Sequence, residues 1–169
     1  MTIKLEPGEN LLNVKLKPIP PEFEDLDLNL LKTVSSSLEM LGVEGIERVL
    51  GALNFLYDGL AASTKVHSYL SIYAGLNFLT SGVGQQRNTL LSDAMALFEF
   101  MKVKVLDAAD AMTFMDKLHN FHSEHYDVLK GNEVKKRELD EIKGFFTEFL
   151  TKYIEYEKAK HQEELRNFE

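Results

Sequence analysis

Three histidines at three-residue intervals are the residues of this chain whose types and spacing could do chemistry. The segment HNFHSEHYDVLKGN contains His119, His122 and His125, and Lys130 with a glycine follows. Steps of three residues advance roughly 300° around a helix, so the three rings fan over about 120° of its surface. An imidazole can move protons or bind a metal ion, and a lysine can stabilise a phosphate. The segment is therefore the candidate functional site.

His125 and Lys130 are the candidate pair for metal-independent RNA cleavage. One group would remove the proton from a ribose 2′-hydroxyl, and the other would stabilise charge on the phosphorane. His122 could substitute for His125. A separation of five residues puts the pair on different sides of a regular helix, so convergence requires the helix to end near Leu129 or two subunits to contribute. The alternative is a structural role, because His125 falls on an apolar stripe between Leu118 and Leu129.

A metal site is the second alternative, with His119, His122 and Asp116 as its candidate ligands. A di-iron bundle needs two Glu-x-x-His pairs on different helices. The chain offers Asp116-x-x-His119 and, on another helix, the reversed His161-x-x-Glu164. A zinc site needs three or four converging ligands. The sequence therefore favours surface or half-buried histidines, and no cofactor is predicted.

The composition of the chain argues against several other classes of function. The chain has 169 residues, is 44% hydrophobic and 27% charged, and has no cysteine, which fits one folded domain without disulfides or a thiolate zinc cluster. Its net charge of −8 argues against general DNA binding, because Lys and Arg drive binding to phosphate backbones. Local RNA binding at a small cleft stays possible. No signal peptide or membrane span is recognisable, so we expect a cytoplasmic protein without membrane contact.

The prolines divide the chain. All four prolines lie within the first 21 residues, and proline interrupts helices. We therefore predict an extended N-terminal arm over residues 1–24, which includes the partly alternating LLNVKLK. Residues 25–157 are predicted to form a helical bundle domain and residues 158–169 a charged helical tail. The predicted fold class is all-α, an up-down bundle of five or six helices with an extended arm.

Apolar stripes with alternating spacings of three and four residues define the predicted helices. The core-facing stripes are predicted to be Leu28, Leu31, Val34, Leu38 and Leu41; Val43, Ile46, Leu50, Leu53, Tyr57 and Leu60; Val66, Tyr69, Tyr73, Leu76 and Thr80; Ala111, Met115, Leu118, His122, His125 and Leu129; and Leu139, Ile142, Phe146, Phe149, Tyr153 and Tyr156. Ser92-Asp93 and Asp107 are predicted helix caps, and Gly131-Asn132 a helix end.

The layout of these helices resembles HEPN domains, particularly the Apea-like branch. In that family a helix ends in an Arg-Asn-x-apolar-apolar-His-Gly type of motif, and HYDVLKG from His125 aligns with it without gaps. Residues 52–82 look like the family's central helix pair, and residues 138–154 look like its closing helix. The family's arginine position is His125, its asparagine position is Tyr126 and its histidine position is Lys130. An acidic position of the central pair is Asn77.

The resemblance implies a function as well as a fold. HEPN domains typically dimerise with the motif at the interface, and members with altered motifs are thought to serve as binding or scaffolding modules. The altered pair here favours a non-catalytic interaction module that binds a protein partner or a second copy of itself, with the N-terminal arm as a possible docking strand. The alternative that the resemblance implies is a metal-independent ribonuclease that uses His125 and Lys130.

Overall fold

The described part of the chain folds as an all-α bundle, which confirms the predicted fold class. The computed structural model describes residues 25–81, 94, 95, 97–99, 101 and 105–167. The helices are α1 (Asp25–Ser37), a 3₁₀ turn (Leu38–Met40), α2 (Val43–Leu60), α3 (Lys65–Thr80), α4 (Ala108–Leu129) and α5 (Lys136–Arg166). Residues 94, 95, 97–99 and 101 are also helical. The predicted arm and the predicted cap Ser92-Asp93 lie outside the described residues.

Two predicted boundaries of α4 are confirmed. The Asp107 side chain accepts a hydrogen bond from the backbone N–H of Asp110 at 2.8 Å, so it caps the first turn of α4. At the other end, Gly131 has a φ of 95°. This left-handed conformation is the one in which glycine ends helices without strain.

The core lies around α3 and α5. All six residues of the predicted α5 stripe are buried, as are Tyr69, Tyr73, Leu76 and Thr80 of the α3 stripe. Helix α3 also buries Ile72 and Leu79, so it is covered on more than one face. Helix α5 is continuous through Arg166, and the side chains of residues 162–167 at its end are exposed.

The predicted core face of α2 is confirmed only in part: Ile46, Leu53 and Leu60 pack against the core. Val43 and Leu50 are 76% and 43% exposed, and the buried residues of α2 are instead Gly45, Val49, Ala52, Leu56 and Gly59. Small side chains explain the difference, because they let helix backbones approach closely. A Cβ atom on Gly59 would lie 2.8 Å from Ile72 Cγ1 and 3.0 Å from the carbonyl oxygen of Ser68 on α3. Close contact with α3 therefore selects the small-residue face of α2.

The predicted faces of α1 and α4 are confirmed only in part, with Val34, Ala111 and Leu118 buried as predicted. Leu28 and Leu31 are 48% and 42% exposed, whereas Leu30 is buried. On α4, Phe114 and Phe121 are buried although neither belongs to the predicted stripe. Both phenylalanines pack against the Phe145 ring of α5, with ring centroids 5.5 and 5.3 Å away. The large area of the aromatic rings sets the rotation of α4.

Within the described ranges, no helix has both the length and the apolar character needed to cross a membrane.

Candidate functional site

Helix α4 carries all three candidate histidines and turns two of them toward α3. His119 is exposed, whereas His122 and His125 are half-buried. Both half-buried rings contact Tyr73, a buried residue of α3. Of the three histidines, one is therefore exposed to solvent and two lie at the interface between α3 and α4.

His122 is held by the hydroxyl of Tyr73. The phenol oxygen lies 2.6 Å from Nδ1 of His122. Burial raises the pKa of Tyr73 to about 12, so the phenol keeps its proton at neutral pH. In the imidazole tautomer with its proton on Nε2, Nδ1 accepts this O–H. One nitrogen of His122 is thus committed to a partner inside the protein.

His125 lies flat on the same tyrosine. The ring centroids of His125 and Tyr73 are 4.0 Å apart and their planes differ by 10°. The Nδ1 atom of His125 is buried and has no hydrogen-bond partner among the described residues. Burial, with a smaller contribution from His122, lowers the pKa of His125. A neutral imidazole at physiological pH follows, because a charged ring would have to leave water without a counter-ion.

An exposed aromatic surface continues beyond the two histidines. Tyr126 is 52% exposed, and its ring lies edge-on to His122 at a centroid distance of 5.0 Å. Leu129, one turn further along, is 59% exposed. Residues 122, 125, 126 and 129 share one helix face by their spacing. We call His122, His125, Tyr126 and Leu129 the α4 patch.

Lys130 lies just past the last turn of α4. Its backbone N–H bonds to the carbonyls of Tyr126 and Asp127 at 3.1 and 3.2 Å, and the residue is exposed. Helix α4 ends at Leu129, as the catalytic pairing would require. No hydrogen bond or ring contact in the described part of the chain joins Lys130 to His125, whose ring faces Tyr73.

The candidate metal ligands do not converge. Asp116 and His119 are exposed, and Nδ1 of His122 is taken by Tyr73. The described residues contain no group of three or more His, Cys, Asp or Glu side chains that could hold a metal ion.

A second polar contact between α3 and α4 was not predicted from the sequence. The hydroxyl of Tyr69 lies 3.0 Å from Glu124 Oε2 and 3.1 Å from the carbonyl oxygen of Phe121. Burial is the main cause of a raised pKa at Glu124, the Tyr69 hydrogen bond opposes it, and the charges of Glu138 and Glu141 add to it. The only sequence signal was the spacing of Tyr69 and Tyr73 by one helical turn.

A cleft between α4 and α5 opens beside Glu124. It has a volume of about 770 Å³. Its lining includes the aromatic residues Phe121 and Phe145 and four carboxylates, Glu124, Asp140, Glu141 and Glu148. The sequence did not indicate this cleft, because it forms between two helices whose relative position depends on the aromatic packing beneath.

No family model, no curated protein and no solved structure matches this chain. The resemblance to HEPN domains therefore rests on the motif residues and the order of the helices.

Proposed function

We propose that this chain is a non-catalytic, HEPN-like interaction module that binds protein, with a second copy of itself as the partner at the α4 patch. The observation that carries the proposal is the exposure of Tyr126 and Leu129 beside two histidines that pack on Tyr73. Burial of apolar side chains at an interface is favourable, and tyrosine is enriched at protein interfaces.

The charge of the patch supports a protein partner over a nucleic acid. Burial lowers the pKa of His125, which keeps this ring uncharged near neutral pH. A patch of aromatic and aliphatic side chains on a chain of net charge −8 offers little to a phosphate backbone.

A two-fold contact also suits the charges at the rim of the patch. Asp127 and Lys130 are both exposed and stand three residues apart. Around a two-fold axis, the aspartate of one copy can face the lysine of the other, which makes the surface complementary to itself. The HEPN resemblance implies the same location, because that family's motif lies at its dimer interface.

Sedimentation analysis of Leu129→Lys tests the proposal. The wild-type chain is expected to dimerise, and the variant is expected to dimerise at least about tenfold more weakly because a charge enters the apolar contact. The matched control is Leu165→Lys, which changes a leucine of similar exposure, 56%, in the last turn of α5. A monomeric wild type, or equal behaviour of the two variants, would contradict the proposal.

A ribonuclease is the second candidate function. The lowered pKa of His125 supports it, since a neutral imidazole can accept a proton at physiological pH. Lys130 would supply the cation from the exposed end of the helix. Incubation of labelled RNA with wild type and His125→Ala tests this candidate. Cleavage by wild type that disappears in the variant supports it, and cleavage that persists in the variant assigns the activity to other residues.

A further inference from the structure

The cleft between α4 and α5 has the length of a short extended peptide. Its lining runs along α5 from Arg137 to Glu148, a rise of about 16 Å at 1.5 Å per residue. An extended peptide of about five residues covers the same length. The volume of about 770 Å³ lies within the roughly 300–1,000 Å³ of ligand pockets.

The base of the cleft is formed by two buried phenylalanines, and the cleft has room for more atoms beside Gly144. The rings of Phe121 and Phe145 are 5.3 Å apart, and the ammonium of Lys117 lies 5.7 Å from the centroid of the Phe145 ring. Gly144 lies between the walls, and a Cβ atom placed on it would meet nothing within 4 Å. Aliphatic stems, such as those of lysine or arginine, can therefore lie beside Gly144.

The walls have more negative than positive charge. The two basic side chains are already paired within the cleft: Lys117 lies 3.2 Å from Glu148, and Arg137 lies 3.3 Å from Glu141. The remaining carboxylates of the lining, Glu124 and Asp140, have no ion pair within the described ranges. The pKa of Glu124 is raised mainly by burial, with a smaller contribution from the charges of Glu138 and Glu141. A cation that entered here would relieve this repulsion.

We infer that this cleft binds a basic peptide segment of a partner protein, with lysine or arginine heads beside Glu124 and Asp140 and their stems beside Gly144. Charge complementarity identifies the ligand class, and the length of the groove favours a peptide over a single small cation. Nucleic acid is disfavoured because the unpaired carboxylates would repel phosphates. The inference is independent of the α4 patch, which lies on another face of the same helix.

Fluorescence anisotropy with short labelled peptides tests the inference on the full chain. The probe alternates lysine and leucine, and the control probe alternates glutamate and leucine. We expect the lysine probe alone to bind, and more weakly at higher salt because its contacts are charged. Binding of both probes, or of neither, would overturn the inference.

Two kinds of variant locate the binding. Gly144→Leu fills the cleft and is expected to weaken lysine-probe binding at least about tenfold. The pair Glu124→Gln and Asp140→Asn removes the unpaired charges and should have an effect of similar size. The matched control is Glu155→Gln on α5, whose carboxylate pairs with Lys152 outside the cleft. Equal binding by the cleft variants and the control would overturn the inference.

Folding of the variants is checked by thermal unfolding. Gly144→Leu should unfold at no lower temperature than wild type, because leucine favours a helix over glycine and the position is open. If Gly144→Leu unfolded at a lower temperature than wild type, lysine-probe binding by Glu124→Gln and Asp140→Asn would decide the result. If spermine displaced the labelled lysine probe as strongly as the unlabelled lysine peptide does, the cleft would be reassigned to small polycations.

Discussion

The imidazole of His125 lies parallel to the phenol ring of Tyr73, with ring centroids 4.0 Å apart. The hydroxyl of the same tyrosine lies 2.6 Å from Nδ1 of His122. One residue of α3 thus orients both histidines of α4, one through its face and one through its oxygen. The arrangement explains how two histidines near a helix end can form part of a packing surface.

Tyr73→Phe should lower the free energy of unfolding by about 0.5–1.5 kcal/mol, the usual net contribution of one hydrogen bond. The ring stack on His125 is kept in this variant, and only the hydroxyl next to His122 is lost. Urea denaturation measures the change. Tyr126→Phe is the control, because its side chain is 52% exposed and surface changes of this size stay within about 0.5 kcal/mol. Equal losses in the two variants would show that the bond to His122 adds no stability.

Acid should destabilise the fold through His125. Its pKa in the folded state is below the ordinary 6.5, so the unfolded chain takes up the proton first as the pH falls. The stabilisation is therefore complete above about pH 6.5 and is lost between that value and the lower pKa of the folded state. His125→Phe keeps a ring on Tyr73 and removes the titration. We expect wild type to lose stability relative to this variant as the pH falls through that interval.

Urea unfolding of both proteins on either side of pH 6.5 measures the difference. A difference that is the same at every pH would mean that His125 has the same pKa in both states.

The bundle and most helix boundaries could be predicted from the sequence because they depend on local patterns. The stripe of α5 consists of large side chains at helical spacing, and every one of its six members is buried. Asp107 and Gly131 act through short-range backbone geometry, which the residue types indicate directly. These features need no knowledge of which helix packs on which.

The small residues buried on α2 and the partners of the histidines could not be predicted in this way. Periodicity counts apolar side chains, but Gly45, Ala52 and Gly59 are buried because they are small and allow close contact. Tyr73 is 49 residues before His122 in the sequence. A contact over this distance depends on the rotation of α4, which the Phe114 and Phe121 rings set. The contact of Tyr69 with Glu124 was missed for the same reason.

Gly59→Ala should destabilise the bundle, whereas Gly144→Ala should stabilise it. The new methyl group at residue 59 would lie 2.8 Å from Ile72 Cγ1 and 3.0 Å from the backbone oxygen of Ser68. Overpacking of this kind costs about 1–3 kcal/mol, which exceeds the gain in helix propensity of about 0.8–1.0 kcal/mol. At residue 144 only the gain applies, because nothing lies within 4 Å. Thermal and urea unfolding compare the pair. Stabilisation by both substitutions would show that α2 and α3 are further apart than described.

Glu124→Gln should stabilise the protein at neutral pH. The raised pKa of Glu124 in the folded state means that its protonated form is the one favoured by folding. That stabilisation is complete below the ordinary pKa of 4.5 and is lost as the pH rises through the higher pKa of the folded state. Glutamine keeps an oxygen that can accept from Tyr69 and carries no charge near Glu138 and Glu141. Its advantage over wild type should therefore disappear as the pH falls toward 4.5.

Urea unfolding between pH 4.5 and neutrality measures the effect of Glu124→Gln, with Tyr69→Phe as the comparison. The phenylalanine variant leaves the carboxylate half-buried without its hydroxyl donor, so we expect a loss of about 1–3 kcal/mol at neutral pH. A glutamine variant that is less stable than wild type at neutral pH would mean that the carboxylate charge itself contributes to the fold. The hydrogen bond from Tyr69 would then outweigh the burial of Glu124 and the repulsion from its acidic neighbours.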